Sequence, residues 1–76
     1  MRINVRGFEE RLNEVVKQSG KINAQIAQET RSGKHAIGRW RRGETQPNLT
    51  YFARLCRCLN VSSDYLLGLS DKRELR

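Results

Sequence analysis

Apolar positions recur at helical spacing along most of the chain. Phe8, Leu12, Val15 and Val16 stand at i, i+4, i+7 and i+8, one face of a first helix. Ser19-Gly20 ends it, with Gly20 suited to the left-handed position past a helix end. Ile26, Ala27 and Thr30 form the inner face of a short second helix that opens at Asn23. A four-residue break, Arg31-Ser32-Gly33-Lys34, leads to a third helix predicted from about Lys34 to Arg41, with Ile37 and Trp40 inward and Gly43 closing it. Glu44-Thr45-Gln46-Pro47 reads as a loop, and Asn48 as the N-cap of a fourth helix with Leu49, Phe52, Leu55, Cys56 and Leu59 on one face. Asn60 suits a left-handed cap. Ser62 is the expected N-cap of a last helix through Leu67, with Asp64 in its first turn and Gly68 stopping it. Ser70 to Arg76 is charged and expected to fray. No alternating strand pattern occurs. The pattern predicts an all-α fold: five short helices around one core, a single domain over 1–76 with its core at about 8–68.

A chain of 76 residues buries only about 60% of the surface its unfolded form exposes, which leaves little room for an enclosed active site. Fifteen Lys and Arg against eight Asp and Glu give a net charge of +7, which points to a polyanionic partner, nucleic acid first and an anionic membrane surface second. No apolar run approaches the roughly 18 residues needed to span a bilayer. The N-terminal MRINVRGFEE lacks a signal peptide's apolar core, so a cytoplasmic location is expected. Cys56 and Cys58 read as free thiols used in helix packing. With the lone His35 they fall short of four zinc ligands, so no metal and no cofactor is expected. No serine, histidine and acid set suggests catalysis, so neither an enzyme nor a small-molecule substrate is expected.

The charge concentrates in one place. Arg31, Lys34, Arg39, Arg41 and Arg42 fall within twelve residues that contain no acid. On a wheel of about 100° per residue, Lys34, His35, Gly38, Arg39 and Arg42 occupy one arc of roughly 140°, opposite Ala36, Ile37 and Trp40. One side of the helix can dock on the body while the other meets a partner. A short positive helix propped on a second helix fits a DNA major groove. Lys34 and Arg39 can donate to guanine O6 and N7, while the base preference of His35 is open because it can donate or accept. Gly38 costs about 1 kcal/mol of helix propensity relative to alanine. Either close approach to DNA or a merely permissive position accounts for it.

The residues RLNEVV, INAQIAQET, AIGRWRRG, PNL and LCRCLNVSSDYLLG, in this order and spacing, resemble the Cro and phage-repressor type of helix-turn-helix domain, also called the xenobiotic-response-element family. The resemblance covers about Phe8 to Gly68. Its most specific parts are Gln25-Ile26-Ala27, Ile37-x-Arg39-Trp40-x-x-Gly43, and Leu59-Asn60-Val61-Ser62 followed by Leu66-Leu67-Gly68. It implies a five-helix, lambda-repressor-like domain whose helix-turn-helix spans about 23–42. It implies base contacts from Gly33, Lys34, His35, Gly38 and Arg39. Backbone contacts would come from Asn23, which stands where relatives often carry a phosphate-binding glutamine, and from Arg41, Arg42, Thr45 and Gln46, with Arg31 of the turn added to that set. It further implies a repressor in a bacterium or phage-infected host, binding a palindromic operator on double-stranded DNA as a homodimer.

The chain departs from the family at several places. The turn usually reads glycine, an apolar residue, then serine or threonine; here it reads Arg31-Ser32-Gly33. An arginine late in the first helix and a glutamate after the tryptophan are replaced by Val16 and Arg41, which leaves Arg41 to meet a phosphate. Ile22 stands where a capping serine or threonine is common, an expected loss of up to about 1 kcal/mol for the second helix. Trp40 is expected in the core. Tyr65 suits either a dimer surface or core packing. Glu9, Glu10 and Glu14 read as a solvated negative stripe facing away from DNA. Two rival functions follow from the same residues: an antitoxin or adaptor acting mainly through a protein partner, and a nonspecific binder driven by charge alone.

Overall fold

The computed structural model describes residues 7–74, in which five helices form: α1 Phe8–Ser19, α2 Asn23–Thr30, α3 Ala36–Arg41, α4 Leu49–Leu59 and α5 Ser63–Leu66. The apolar stripes converge on one core. Leu12, Ile26, Ile37, Leu55, Val61 and Leu66 are fully buried, with Phe8, Val15, Val16, Trp40, Cys56 and Leu59 around them. Fully burying a side chain such as Leu55 stabilises by about 1.5–3 kcal/mol, so a few of these residues hold the domain together. α2 packs on α4 and α3, and α1 packs on α3, α4 and α5. Trp40 faces inward, with its ring 5.9 Å from that of Tyr51.

The helix ends follow capping chemistry. Asn48 Oδ1 accepts from the Tyr51 N–H at 2.9 Å, and Ser62 Oγ accepts from the Tyr65 N–H at 3.0 Å. α2 and α4 end in paired 5→2 and 6→1 backbone bonds: Arg31 N–H to Gln28 O and Ser32 N–H to Ala27 O, then Asn60 N–H to Arg57 O and Val61 N–H to Cys56 O. Both motifs need a left-handed residue, and Arg31 (φ 57°) and Asn60 (φ 53°) supply it. Ile22 gives α2 no side-chain cap and is 68% exposed. Gly43 ends α3 at φ 75°, and a Cβ there would collide with the Glu9 carboxylate. The left-handed backbone is what calls for glycine, since the end of the Glu9 side chain could swing aside.

Four expectations are corrected. α3 begins at Ala36 rather than Lys34, because Gly33 has no capping side chain and the hydroxyl of Ser32 is turned to Thr30; Lys34 and His35 form the lead-in turn closed by Ala36 N–H to Gly33 O at 3.2 Å. α5 ends at Leu66, and Leu67 is its cap residue. Leu49 is 84% exposed: it opens α4 next to the cap residue, and in that first turn it is Tyr51 and Phe52 that pack on the core. The tail is tied down as far as Glu74. Ser62 N–H donates to Arg73 O at 2.8 Å, Val61 and Glu74 form a lone antiparallel bridge, and the Arg73 guanidinium lies 5.5 Å from the Tyr65 ring centre. Leu75 and Arg76, the rest of that tail, lie outside the described residues.

Candidate nucleic-acid interface

The α2–turn–α3 unit is held from behind. Thr30 is wholly buried, and its Oγ1 donates to Ile26 O at 2.8 Å, so the Ser32 hydroxyl, 2.9 Å away, donates to Thr30. A hydroxyl pair thus stands where relatives carry a small apolar plug, and neither polar group is left buried without a partner. Arg54 of α4 reaches Thr30 O, at the C-terminus of α2, at 3.3 Å. Lys21 Nζ binds Glu29 Oε1 at 2.7 Å and Cys58 O at 2.8 Å, and the Cys58 thiol donates to Glu29 at 3.1 Å. The Lys21 bond, followed by the thiol bond, holds the Glu29 carboxyl below its ordinary range. Burial, then the bond to Glu29, pushes the Cys58 thiol up to about 11. Its three members come from a loop, α2 and α4, so no periodicity along the chain announces this cluster.

The outward side of α3 is different. Lys34, His35 and Arg39 are exposed, and among the described residues none of their side chains makes a hydrogen bond. Gly33 is exposed in the turn beside them. Gly38 is half-buried beneath the Arg42 guanidinium, whose Nη1 would stand 3.0 Å from an added Cβ. Its missing side chain makes room for Arg42. Arg42 pairs with Glu44, and that bond holds the Glu44 carboxyl low and the Arg42 guanidinium high. An acid the basic arc does not contain therefore sits at its edge. Arg31, Thr45 and Gln46 are exposed in the two loops flanking α3.

Two expected site residues are engaged with the body. Arg41 Nε donates to Asn13 Oδ1 at 2.6 Å, and its Nη1 donates to Asn23 Oδ1 at 2.7 Å. Asn13 Nδ2 in turn donates to Arg41 O at 2.8 Å. Arg41, which replaces the family's glutamate and was expected to be left to a phosphate, is therefore not loose: Asn13 and Asn23 are its partners. The acidic stripe on α1 is also not simply solvated: Glu9 is half-buried against Gly43, and Glu14 accepts from the Tyr65 hydroxyl.

The helix-turn-helix family model matches residues 12–66. The structure is similar to that of the phage P22 c2 repressor in complex with a synthetic operator, at 30% identity and a TM-score of 0.77, over 83% of this chain and 96% of that one. It is equally similar to the solution structure of the DNA-binding domain of the P22 c2 repressor, at 30% identity and a TM-score of 0.77, over 92% of this chain and 95% of that one. A transcriptional regulator from Listeria innocua matches at 31% identity and a TM-score of 0.72, over 80% of this chain but 57% of its own length. No curated protein matches by sequence. The chain belongs to the helix-turn-helix family in its Cro and phage-repressor type, a family of DNA-binding transcriptional regulators.

Proposed function

We propose that this chain is a sequence-specific double-stranded DNA-binding regulator, a repressor that binds a palindromic operator as a homodimer. One observation carries the reading: the basic residues divide by task. Arg11, Lys21, Arg41 and Arg54 bind carbonyls or side chains of the body, whereas the side chains of Lys34 and Arg39, on the outer side of α3 and its lead-in turn, make no hydrogen bond among the described residues, Arg39 feeling only the nearby charge of Glu44. Groups that can donate to base edges are thereby presented on a helix fixed from behind. Gly33, Lys34, His35, Gly38 and Arg39 face the bases, with Gly38 uncovered as Arg42 swings off it to a phosphate. Arg31, Asn23, Arg42, Thr45 and Gln46 meet the phosphate backbone, which supplies most of the affinity and its salt dependence. Two such helices sit about 34 Å apart and read half-sites one turn apart. Support for the dimer comes from the apolar groove lined by Phe8, Pro47, Leu49, Phe52 and Leu67, in which Leu49 is largely exposed. The P22 c2 repressor bound to its operator supports the choice of duplex DNA.

The test is selection from a randomised duplex pool at about 0.15 M salt, where surface charges are partly screened. The expected result is an enriched palindrome with half-sites one turn apart. Arg39→Ala should weaken binding to it by about 1–3 kcal/mol and relax one base position in each half-site. Binding without enrichment would leave only charge-driven contact. A stable stoichiometric complex with a second protein, and no enrichment, would favour the antitoxin or adaptor reading.

A further inference from the structure

Asn13, Asn23 and Arg41 come from three different helices and meet at one guanidinium. Arginine has five N–H donors and no acceptor, so both asparagine oxygens must face it. Asn13 therefore grips Arg41 twice, through its Oδ1 to Nε at 2.6 Å and through its Nδ2 to the backbone carbonyl at 2.8 Å. The second bond also satisfies a carbonyl at the end of α3. Asn23 Oδ1 takes Nη1 at 2.7 Å, which leaves the Asn23 NH2 group out of that bond. That NH2 has no partner among the described residues, and no unpartnered side-chain nitrogen there is fully buried, so it is not sealed off from solvent. The same holds for Arg41 Nη2. Two of the five guanidinium donors are occupied and three remain. A neutral amide donor and a fixed cationic donor are thus held on one hydrogen-bonded pair where the start of α2 meets the end of α3, the pairing that suits an oxyanion.

We propose that Asn23 and Arg41 form one composite phosphate seat rather than two separate backbone contacts, preset by Asn13 as a positioning residue. The proposal rests on the duplex-binding reading above. It gives Arg41 a part of the role the sequence suggests, but only jointly with Asn23. It also gives Asn13, in the middle of α1, a role in binding without touching DNA.

A double-mutant cycle with the full chain tests this, using Asn23→Ala, Arg41→Met and the pair, scored by duplex affinity. Phosphate ethylation interference on the same duplex adds a map of the phosphates each variant uses. Each single substitution should weaken binding about tenfold, the equivalent of 1.4 kcal/mol. Arg41→Met in the Asn23→Ala background should add about twofold or less, because contacting residues are not additive. Both variants should lose the same phosphate. Asn13→Ala, which keeps the charge but frees the guanidinium, should lose that phosphate alone from the interference map, whatever the fall in melting temperature that loss of the clamp brings. It carries the test if Arg41→Met fails to fold. Additive losses, two different phosphates, or an Asn13→Ala variant that binds as well as the parent would overturn the seat. The cycle needs only a duplex that binds, preferred or not, so loss of sequence preference would not sink it. Failure of the parent chain to bind any duplex would overturn the duplex reading and the seat with it.

Discussion

Arg31 occupies a position that glycine fills in many relatives, and the backbone requirement is the same: φ is 57°, and two carbonyls of α2 are closed by the bonds around it. A left-handed residue with a side chain costs roughly 1–2 kcal/mol. Arg31→Gly should therefore raise stability by about 1 kcal/mol, a shift of roughly 5 °C in melting temperature for a domain of this size. The same change removes a cation beside the recognition turn. Duplex affinity should fall while thermal stability rises, a divergence that thermal unfolding and a binding titration would show together. A variant both more stable and equally tight in binding would remove Arg31 from the interface. The Thr30–Ser32 hydroxyl pair shows the same principle from the other side. A polar residue in a position that prefers an apolar one is tolerated because a buried partner accepts its proton.

At the scale of the element, α3 is short, with six residues from Ala36 to Arg41, and its N-terminus has no side-chain cap. Its stability comes from Ile37 and Trp40 buried against the core and from the Asn13–Arg41 clamp at its end, not from helix propensity. Its C-terminal edge holds the Arg42–Glu44 pair. Before Arg42 can turn to a phosphate it must leave Glu44, whose carboxylate also repels the duplex. Glu44→Gln should tighten binding to all duplexes a few-fold without changing which sequence is preferred. Because the bond to Arg42 holds the Glu44 carboxyl low, the gain should be constant across neutral pH. Weaker binding by Glu44→Gln would instead mean that Glu44 holds Arg42 in its working position.

At the scale of the molecule, Glu29 and Glu44 are both held low in the folded state, and Glu29 is the one that joins separate segments. Its folded carboxyl lies below its ordinary value of 4.5, first through Lys21 and then through Cys58. A depressed carboxyl contributes stability that is present above its unfolded value and lost as pH falls through its folded one. The domain should therefore lose stability on acidification below about pH 4.5, and Glu29→Gln should flatten that limb while lowering stability at neutral pH. Urea unfolding of both proteins at several pH values would check this, and an unchanged acid limb in Glu29→Gln would assign it to other carboxylates. The cluster joins the α1–α2 loop, α2 and α4, so acid should loosen the support behind α2.

Helical periodicity, capping residues and left-handed turn residues determined the five helices, their order and the inward faces of α1, α2 and α3, because these signals are local and repeat every three to four residues. The basic arc was legible for the same reason. Only the tertiary structure decided what each cation does. Arg39 and Arg41 lie two residues apart and look alike in the chain, yet one is exposed and the other is clamped by α1 and α2. Which side chain meets a partner from another helix depends on how three helices pack, and no spacing within one segment encodes that. The exposed Leu49, the docked tail and the Lys21–Glu29–Cys58 cluster were hidden for the same physical reason: each depends on what lies across a contact between distant segments, not on the pattern within its own.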